Sequence, residues 1–401
     1  MQLLSIILVM KILKAFKFQL NLNKLQFAKM KSFAGSCRYV WNKALAAQKA
    51  FLSAGQSCMN YSKMASELVN WKQQEDTEFL KEVHSQILQQ KLMDLDKSLQ
   101  EAFDKTNPKQ FPRFKKKGVN NDSFRYPQGF KIEEGNNRVY LPKIGWVRYI
   151  NSRRIAGIPK NITVRREIDK WYISIQTEQE IEEPVHETKS EVGIDMGIVQ
   201  FACISDGTEI PSINSYARYE TKLRKEQRKL TRKRKYSNNW KKQVKMVQKC
   251  HKRIRDVRKD FLHKETTKIS KSHAVVVVED LKTSNMSRSA SGTKENPGRN
   301  VRAKSGLNKS ILDQGWSEFR RQLEYKQKWR GGKVIAVEPQ YTSQKCSRCG
   351  NISAENRKTQ SEFVCVRCGH EENADLNAAK NILAAGRAVL VCGGMDVTKS
   401  A

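Results

Sequence analysis

Three carboxylates stand where they could do metal chemistry. Asp195 ends the run Val192-Gly-Ile-Asp195 and is followed by Met196-Gly197. Glu279 closes Ala274-Val-Val-Val-Val-Glu279, and Asp375 lies in Asn373-Ala-Asp375-Leu-Asn377, just past a Cys-x-x-Cys pair. The first two each finish an apolar stretch that reads as a buried strand. A carboxylate at such a strand's end needs a partner, and a divalent cation is the fitting one. Three such groups from distant segments suit a two-metal site that hydrolyses a phosphodiester. Each also has a plainer reading. Asp195 could serve a turn, Glu279 could pair with a lysine, and Asp375 could simply favour the dipole of a first helical turn. Asp280 competes with Glu279, because strand alternation turns only one of them toward the site.

A second group of ligands is closer together in sequence. Cys346-x-x-Cys349 and Cys365-x-x-Cys368 are separated by fifteen residues, and glycine follows each pair (Gly350, Gly369). Glycine there permits the tight turn that aims backbone amides at sulfur. Four thiolates match a structural Zn2+ ribbon, whose closed shell leaves no position for chemistry. An iron–sulfur cluster suits two turns of this type less well. Cys37, Cys58, Cys203, Cys250 and Cys392 are scattered. An odd total with clustered pairs points to a reducing, cytoplasmic setting rather than a disulfide framework.

The chain has 401 residues and a formal net charge of +34. Such a charge makes a polyanion the expected partner, and nucleic acid the expected polyanion, with nucleoid association to match. Aromatic residues at 8% exclude a disordered basic tail. Between residues 218 and 264, 20 Lys/Arg stand against four acids, most densely at Arg232, Lys233, Arg234 and Lys235. A basic helical run is usually a solvated face. Here the acids are too few for internal pairing, which favours phosphate contact. Residues 2–10 are apolar but too short to span a bilayer, and they lack a signal peptide's basic start and cleavage site. Met10-Lys11 is the simpler expected start.

The elements that would position these groups follow from periodicity. Residues 12–22 alternate as a strand, 24–54 and 62–105 repeat as helices, and 124–178 read as β-structure. The stretch 191–213 reads as a three-strand meander. One long helical stretch spans 215–272. A buried strand follows at 274–279. Residues 284–306, poor in apolar residues, read as a mobile lid over the carboxylates. A helix at 310–330, a strand at 332–338 and a helix at 374–386 complete an alternating pattern. Acids on a meander strand, on a second strand and at a helix start form the pattern of an RNase H-like nuclease.

The ordered blocks along the chain resemble the TnpB (OrfB) family of bacterial insertion sequences, relatives of type V CRISPR effectors. They include Cys37-Arg-Tyr-Val-Trp-Asn-Lys, Val192-Gly-Ile-Asp-Met-Gly, Leu307-Asn-Lys-Ser-Ile-Leu-Asp, Thr342-Ser-Gln-Lys-Cys-Ser-Arg-Cys-Gly and Asn373-Ala-Asp-Leu-Asn-Ala-Ala-Lys. The resemblance implies an α+β multidomain chain. A wedge-type β-barrel (1–22 and 106–188) would carry a helical recognition insert (23–105). An RNase H-like (RuvC) α/β nuclease domain (189–340 and 370–390) would hold an inserted zinc ribbon (341–369), before a flexible tail (391–401). It implies RNA-guided DNA cutting with a guide RNA from the transposon end, and a short motif read beside a double-stranded target. Catalytic Mg2+ would be held by Asp195, Glu279 and Asp375, with Asp195 bridging two ions, and structural Zn2+ by Cys346, Cys349, Cys365 and Cys368. Tyr61, Gln89, Tyr126 and Gln128 fall at motif-reading places, where amides bond adenine edges and tyrosine packs on thymine methyls. At Ser85 some relatives place a lysine. Two rivals remain at this level: a transposase that joins strands itself, and a non-cutting regulator of transposition.

Overall fold

The computed structural model describes residues 9–106, 109–118 and 122–391. The chain divides after Glu182 into two compact units. Residues 1–8, most of the apolar N-terminal stretch, lie outside the described residues, as do Cys392 and the rest of the tail.

The first unit opens with strand β1 (Val9–Asn21). Helix α1 (Lys24–Ser53) follows abruptly because Asn23 and Gln26 form a capping box, each side chain accepting the other's backbone N–H. Helices α2 (Tyr61–Gln73) and α3 (Ser85–Phe103) flank a 3-10 turn. On α3, Leu88, Leu92, Leu95 and Leu99 form one apolar stripe and are buried against Met30, Phe33 and Val40 of α1. Strands β2 (Ser123–Tyr126), β3 (Lys131–Glu133), β4 (Arg138–Leu141), β5 (Gly145–Ile150), β6 (Ile158–Glu167) and β7 (Lys170–Glu182) complete the unit. All seven strands form one curled antiparallel sheet in the order β2-β6-β7-β1-β5-β4-β3. Strand β1 pairs with β7 from Val9 to Gln19 and with β5 from Gln19 to Asn21. The helices are thus an insertion between the first strand and the rest of its sheet, and one core serves both layers.

The second unit is built on β8 (Glu191–Met196), β9 (Gln200–Ile204) and β10 (Glu209–Pro211). Helices α4 (Ser215–Thr231) and α5 (Asn238–Ser272), strand β11 (Val275–Glu279), helices α6 (Thr283–Met286), α7 (Val301–Gln314) and α8 (Trp316–Lys328), and strand β12 (Lys333–Val337) come next. The short strands β13 (Glu362–Val364) and β14 (Glu371–Asn373) precede helix α9 (Ala374–Val391). The main sheet has the order β10-β9-β8-β11-β12. Its meander is antiparallel, and β8, β11 and β12 are parallel. The unbroken valines of β11 follow from burial on both faces. Val276 and Val278 pack with Phe319 and Leu323 of α8, while Val277 packs with Ile382 of α9.

Three expectations need correction. The basic stretch 215–272 is a helical hairpin broken at residues 232–237, with Leu223 of α4 packed on Cys250 and Ile254 of α5. The helix expected at 310–330 begins at Val301 and breaks at Gly315, whose φ of +75° suits glycine. The segment 284–306, expected as a loop throughout, is therefore partly helical. Its start is a helical turn and its end belongs to α7. Lys304 and Asn308 also donate to the carbonyls of Met286, Ser287 and Arg288, pinning its base. The stretch between is folded on itself: Gly292 bridges Pro297, and Thr293 N–H donates to the Asn296 carbonyl. Hydrogen bonds replace the apolar packing that its composition lacks. Among the described residues, no helix is long and apolar enough to cross a membrane.

Candidate metal centre and nucleic-acid interface

Asp195 is partly buried on β8, with Cys203 of β9 as its cross-strand partner. Two residues before it, Gly193 faces α9 at very short range. A Cβ there would lie 2.2 Å from the Ala379 carbonyl oxygen and 2.5 Å from the Leu383 amide. From the other side, a Cβ at Gly386 would strike Val277. The two glycines let α9 lie directly on β8 and β11, which brings Asp375, in the first turn of α9, toward the strand ends. Asn373 caps that turn, its Oδ1 accepting from the amides of Asp375 and Leu376.

Glu279, at the end of β11, is 8% exposed. Thr342 donates its hydroxyl to Glu279 Oε1 at 2.6 Å. Asp280 turns the other way, half exposed and bonded to Arg320. The two adjacent acids point apart, and the buried one, Glu279, is the one whose charge acts on Asp195.

The three carboxylates feel one another. Burial first, then the charges of Glu279 and Asp375, push the Asp195 carboxyl up from 3.8 to about 7, against the opposing pull of Arg357. Burial raises Glu279 as well, opposed by its hydrogen bond from Thr342. Arg357 donates to Asp375 Oδ1 at 3.3 Å. A partly buried cluster of like charge, only partly offset by Arg357, favours a proton where a divalent cation would fit.

The four cysteines are drawn closer. Their sulfurs all lie within 4.8 Å of one another, close enough for one metal ion to reach all four. Cys346 and Cys368 are 3.8 Å apart, Cys349 and Cys365 3.6 Å. Gly350 and Gly369 have positive φ, and their amides close turns onto the Cys346 and Cys365 carbonyls. Against the burial that raises it, the amides of Cys368 and Arg367 hold the Cys365 thiol low, at about 6.

The basic quartet is the turn between α4 and α5. Arg232, Arg234 and Lys235 are exposed and Lys233 is half-buried. The four expected motif readers divide. Gln128 is exposed on a loop, Tyr61 opens α2 and Gln89 lies half-buried on α3. Tyr126 is a correction: it is fully buried, and its hydroxyl donates to the Pro142 carbonyl at 3.1 Å. This tyrosine is a core residue with its polar atom already committed. Ser85 accepts from Lys72 of α2, whose Nζ lies 2.9 Å from the serine hydroxyl.

Sequence reasoning missed Arg357 and Thr342. Neither carries a signal of spacing, since each acts on a group far away in the chain. Gly193 was legible in principle as a glycine inside a strand.

The second unit is thus a mixed sheet with converging strand-end carboxylates and an attached thiol cluster, a nuclease-like architecture. Comparison with known proteins narrows this class. Family models match residues 174–290 ("Probable transposase"), 316–382 ("Cas12f1-like, TNB domain") and 10–56 ("Helix-turn-helix domain"). The last range folds here as a strand and one long helix. The chain is 55% identical over 386 residues to InsQ of Escherichia coli K12, a protein named as an RNA-guided DNA endonuclease, covering 96% of this chain and 95% of that one. A protein of Streptomyces pristinaespiralis named for the same activity is 32% identical, covering 96% and 92%. A Cas12f1–sgRNA–target DNA complex matches the fold with a TM-score of 0.50 at 15% identity, over 89% of this chain and 82% of that one. The chain belongs to the TnpB (OrfB) family.

Proposed function

We propose that this protein is an RNA-guided DNA endonuclease encoded by a transposable element, and that it hydrolyses phosphodiesters at Asp195, Glu279 and Asp375. One observation carries the reading: the glycine-permitted contact of α9 with β8 and β11 brings carboxylates from β8, β11 and the start of α9 together, where burial and their mutual charge raise Asp195. A protein that only bound DNA would have no use for so costly a cluster. The strand order and the helix on β8 fit an RNase H-like (RuvC) domain, and the curled sheet with its helical insertion fits a wedge barrel.

The three carboxylates would hold Mg2+, which would activate water and stabilise the leaving oxygen. Arg357 offsets part of the cluster's charge and aims Asp375. Strand ends and a capped helix start hold the acids on rigid elements, which limits their reorganisation during the reaction. The four thiolates would hold structural Zn2+. The α4–α5 hairpin, with Arg232–Lys235 at its tip, would grip phosphates of the guide–target duplex by charge and shape. Tyr61, Gln89 and Gln128, with Lys72, would face the motif beside the target.

The test is purification with co-purifying RNA, sequencing of that RNA, and cleavage of a matching duplex with Mg2+. Guided cutting that disappears on RNA removal supports the reading. Strand joining without RNA would replace it with a transposase.

A further inference from the structure

Thr342 opens the segment Thr342-Ser-Gln-Lys-Cys346, which leads into the first cysteine pair. It is buried, and its hydroxyl has two acceptors in reach: Glu279 Oε1 at 2.6 Å and the Pro339 carbonyl at 3.3 Å. A hydroxyl has one proton to give, and the short bond to a carboxylate is the stronger. One oxygen of Glu279 is thereby tied, and the rotation of its carboxyl group is restrained.

The backbone around Thr342 is held in turn. Asn381 Nδ2 donates to the Thr342 carbonyl at 2.9 Å and to the Lys345 carbonyl at 2.6 Å. Asn377 Nδ2 donates to the same Lys345 carbonyl at 2.8 Å, and its Oδ1 accepts from the Ser347 amide at 2.9 Å. Both asparagines are buried one turn apart on α9, the helix that carries Asp375. A single helix thus places one carboxylate directly and supports the hydroxyl that orients another.

We propose that Thr342 is a positioning residue: its hydroxyl orients Glu279 so that the free carboxylate oxygen is presented to a divalent cation, with Asn377 and Asn381 of α9 holding Thr342 in place. The proposal rests on Glu279 being a cation ligand. Partners that hydrogen-bond a ligand's far oxygen fix its orientation and tune its affinity. Losing the hydroxyl leaves Glu279 Oε1 buried without its donor.

The experiment replaces Thr342 by Val, Ala and Ser in the protein–RNA complex. Local cation binding is read without DNA turnover, from Fe2+-generated hydroxyl-radical cuts of the polypeptide beside Asp195 and Glu279. Thr342→Val should raise the Fe2+ needed for half-maximal local cuts by about 10- to 100-fold. The Mg2+ needed for half-maximal DNA cleavage should rise in step, with the rate recovering at saturating Mg2+. Zinc content should be unchanged, and Thr342→Ser should restore the wild-type response. Thr342→Ala gives the same reading should the buried site reject the valine methyl. A wild-type Fe2+ response in both Val and Ala variants would overturn the proposal. Glu279→Gln run alongside separates the two levels: if it too responds as wild type, the assignment of Glu279 as a ligand fails; if it alone loses the response, only the role of Thr342 fails.

Discussion

The two candidate metal centres of the second unit differ in how they are assembled. The four thiols come from two local turns, 15 residues apart in sequence, and converge to within 4.8 Å. The three carboxylates come from two strands and a helix and keep an arginine beside them. A closed thiol shell suits a cation that holds structure, and a carboxylate cluster suits cations that must also meet substrate. The first centre can form as soon as its turns form. The second exists only when the sheet and α9 have packed. The two are joined by the loop from Thr342 to Cys346, so the contrast predicts asymmetric damage.

The largest effect should come from the open centre. Asp195→Ala should remove DNA cleavage altogether and leave RNA and DNA affinity near wild type, because one carboxylate matters little against a net charge of +34. Binding and cleavage measured on the same preparation check this. Residual cutting would take Asp195 out of the centre.

Damage at the closed centre should spread to the open one. Structural zinc contributes on the order of 10 kcal/mol to the folding of isolated finger peptides. Cys365→Ser should therefore lower zinc content and melting temperature and also reduce cleavage, since Arg357, inside the ribbon, bonds Asp375. Metal analysis and calorimetry would read both. Cleavage unaffected by zinc loss would show the two centres to be independent.

The open centre should couple pH to Mg2+. In the metal-free protein, Asp195 keeps its proton to about pH 7, whereas an unfolded chain releases it near 3.8. Folding takes up a proton in that window, so this group's contribution to stability falls as pH rises through it. Mg2+ held by this carboxylate would take the place of the proton. The rise in melting temperature on adding Mg2+ should be small well below pH 7 and grow as pH passes it. Asp195→Asn should flatten this dependence.

The smallest effect concerns the basic hairpin. Neutralising Arg232, Lys233, Arg234 and Lys235 should reduce the slope of log affinity against log salt by roughly 0.7–0.9 for each phosphate that the variant no longer neutralises. An unaltered slope would mean that the turn faces solvent when nucleic acid is bound.

Apolar and polar regions read from sequence fared differently for physical reasons. Apolar periodicity marked α3 and the valines of β11 clearly, because burial on one stripe or on both faces imprints itself on residue type. The break in the hairpin at 232–237 was hidden, because lysine and arginine serve helices and turns alike when neither is buried. The loop at 284–306 was overextended because a polar helix such as α7 presents few apolar residues to count. Its Leu307 and Leu312 are exposed.

What this chain's sequence determined by itself was local: the cysteine turns, the strand-end acids and the caps, each set by residue type within a few positions. The tertiary structure alone decided which acid of Glu279-Asp280 is buried, that Tyr126 is core, and that Arg357 and Thr342 serve distant carboxylates. The reason is the range of the interaction. A turn or an alternating strand is specified by neighbours in the chain. A hydrogen bond such as Thr342 to Glu279 depends on α9 lying against β8, which Gly193 and Gly386 permit by having no side chain at all.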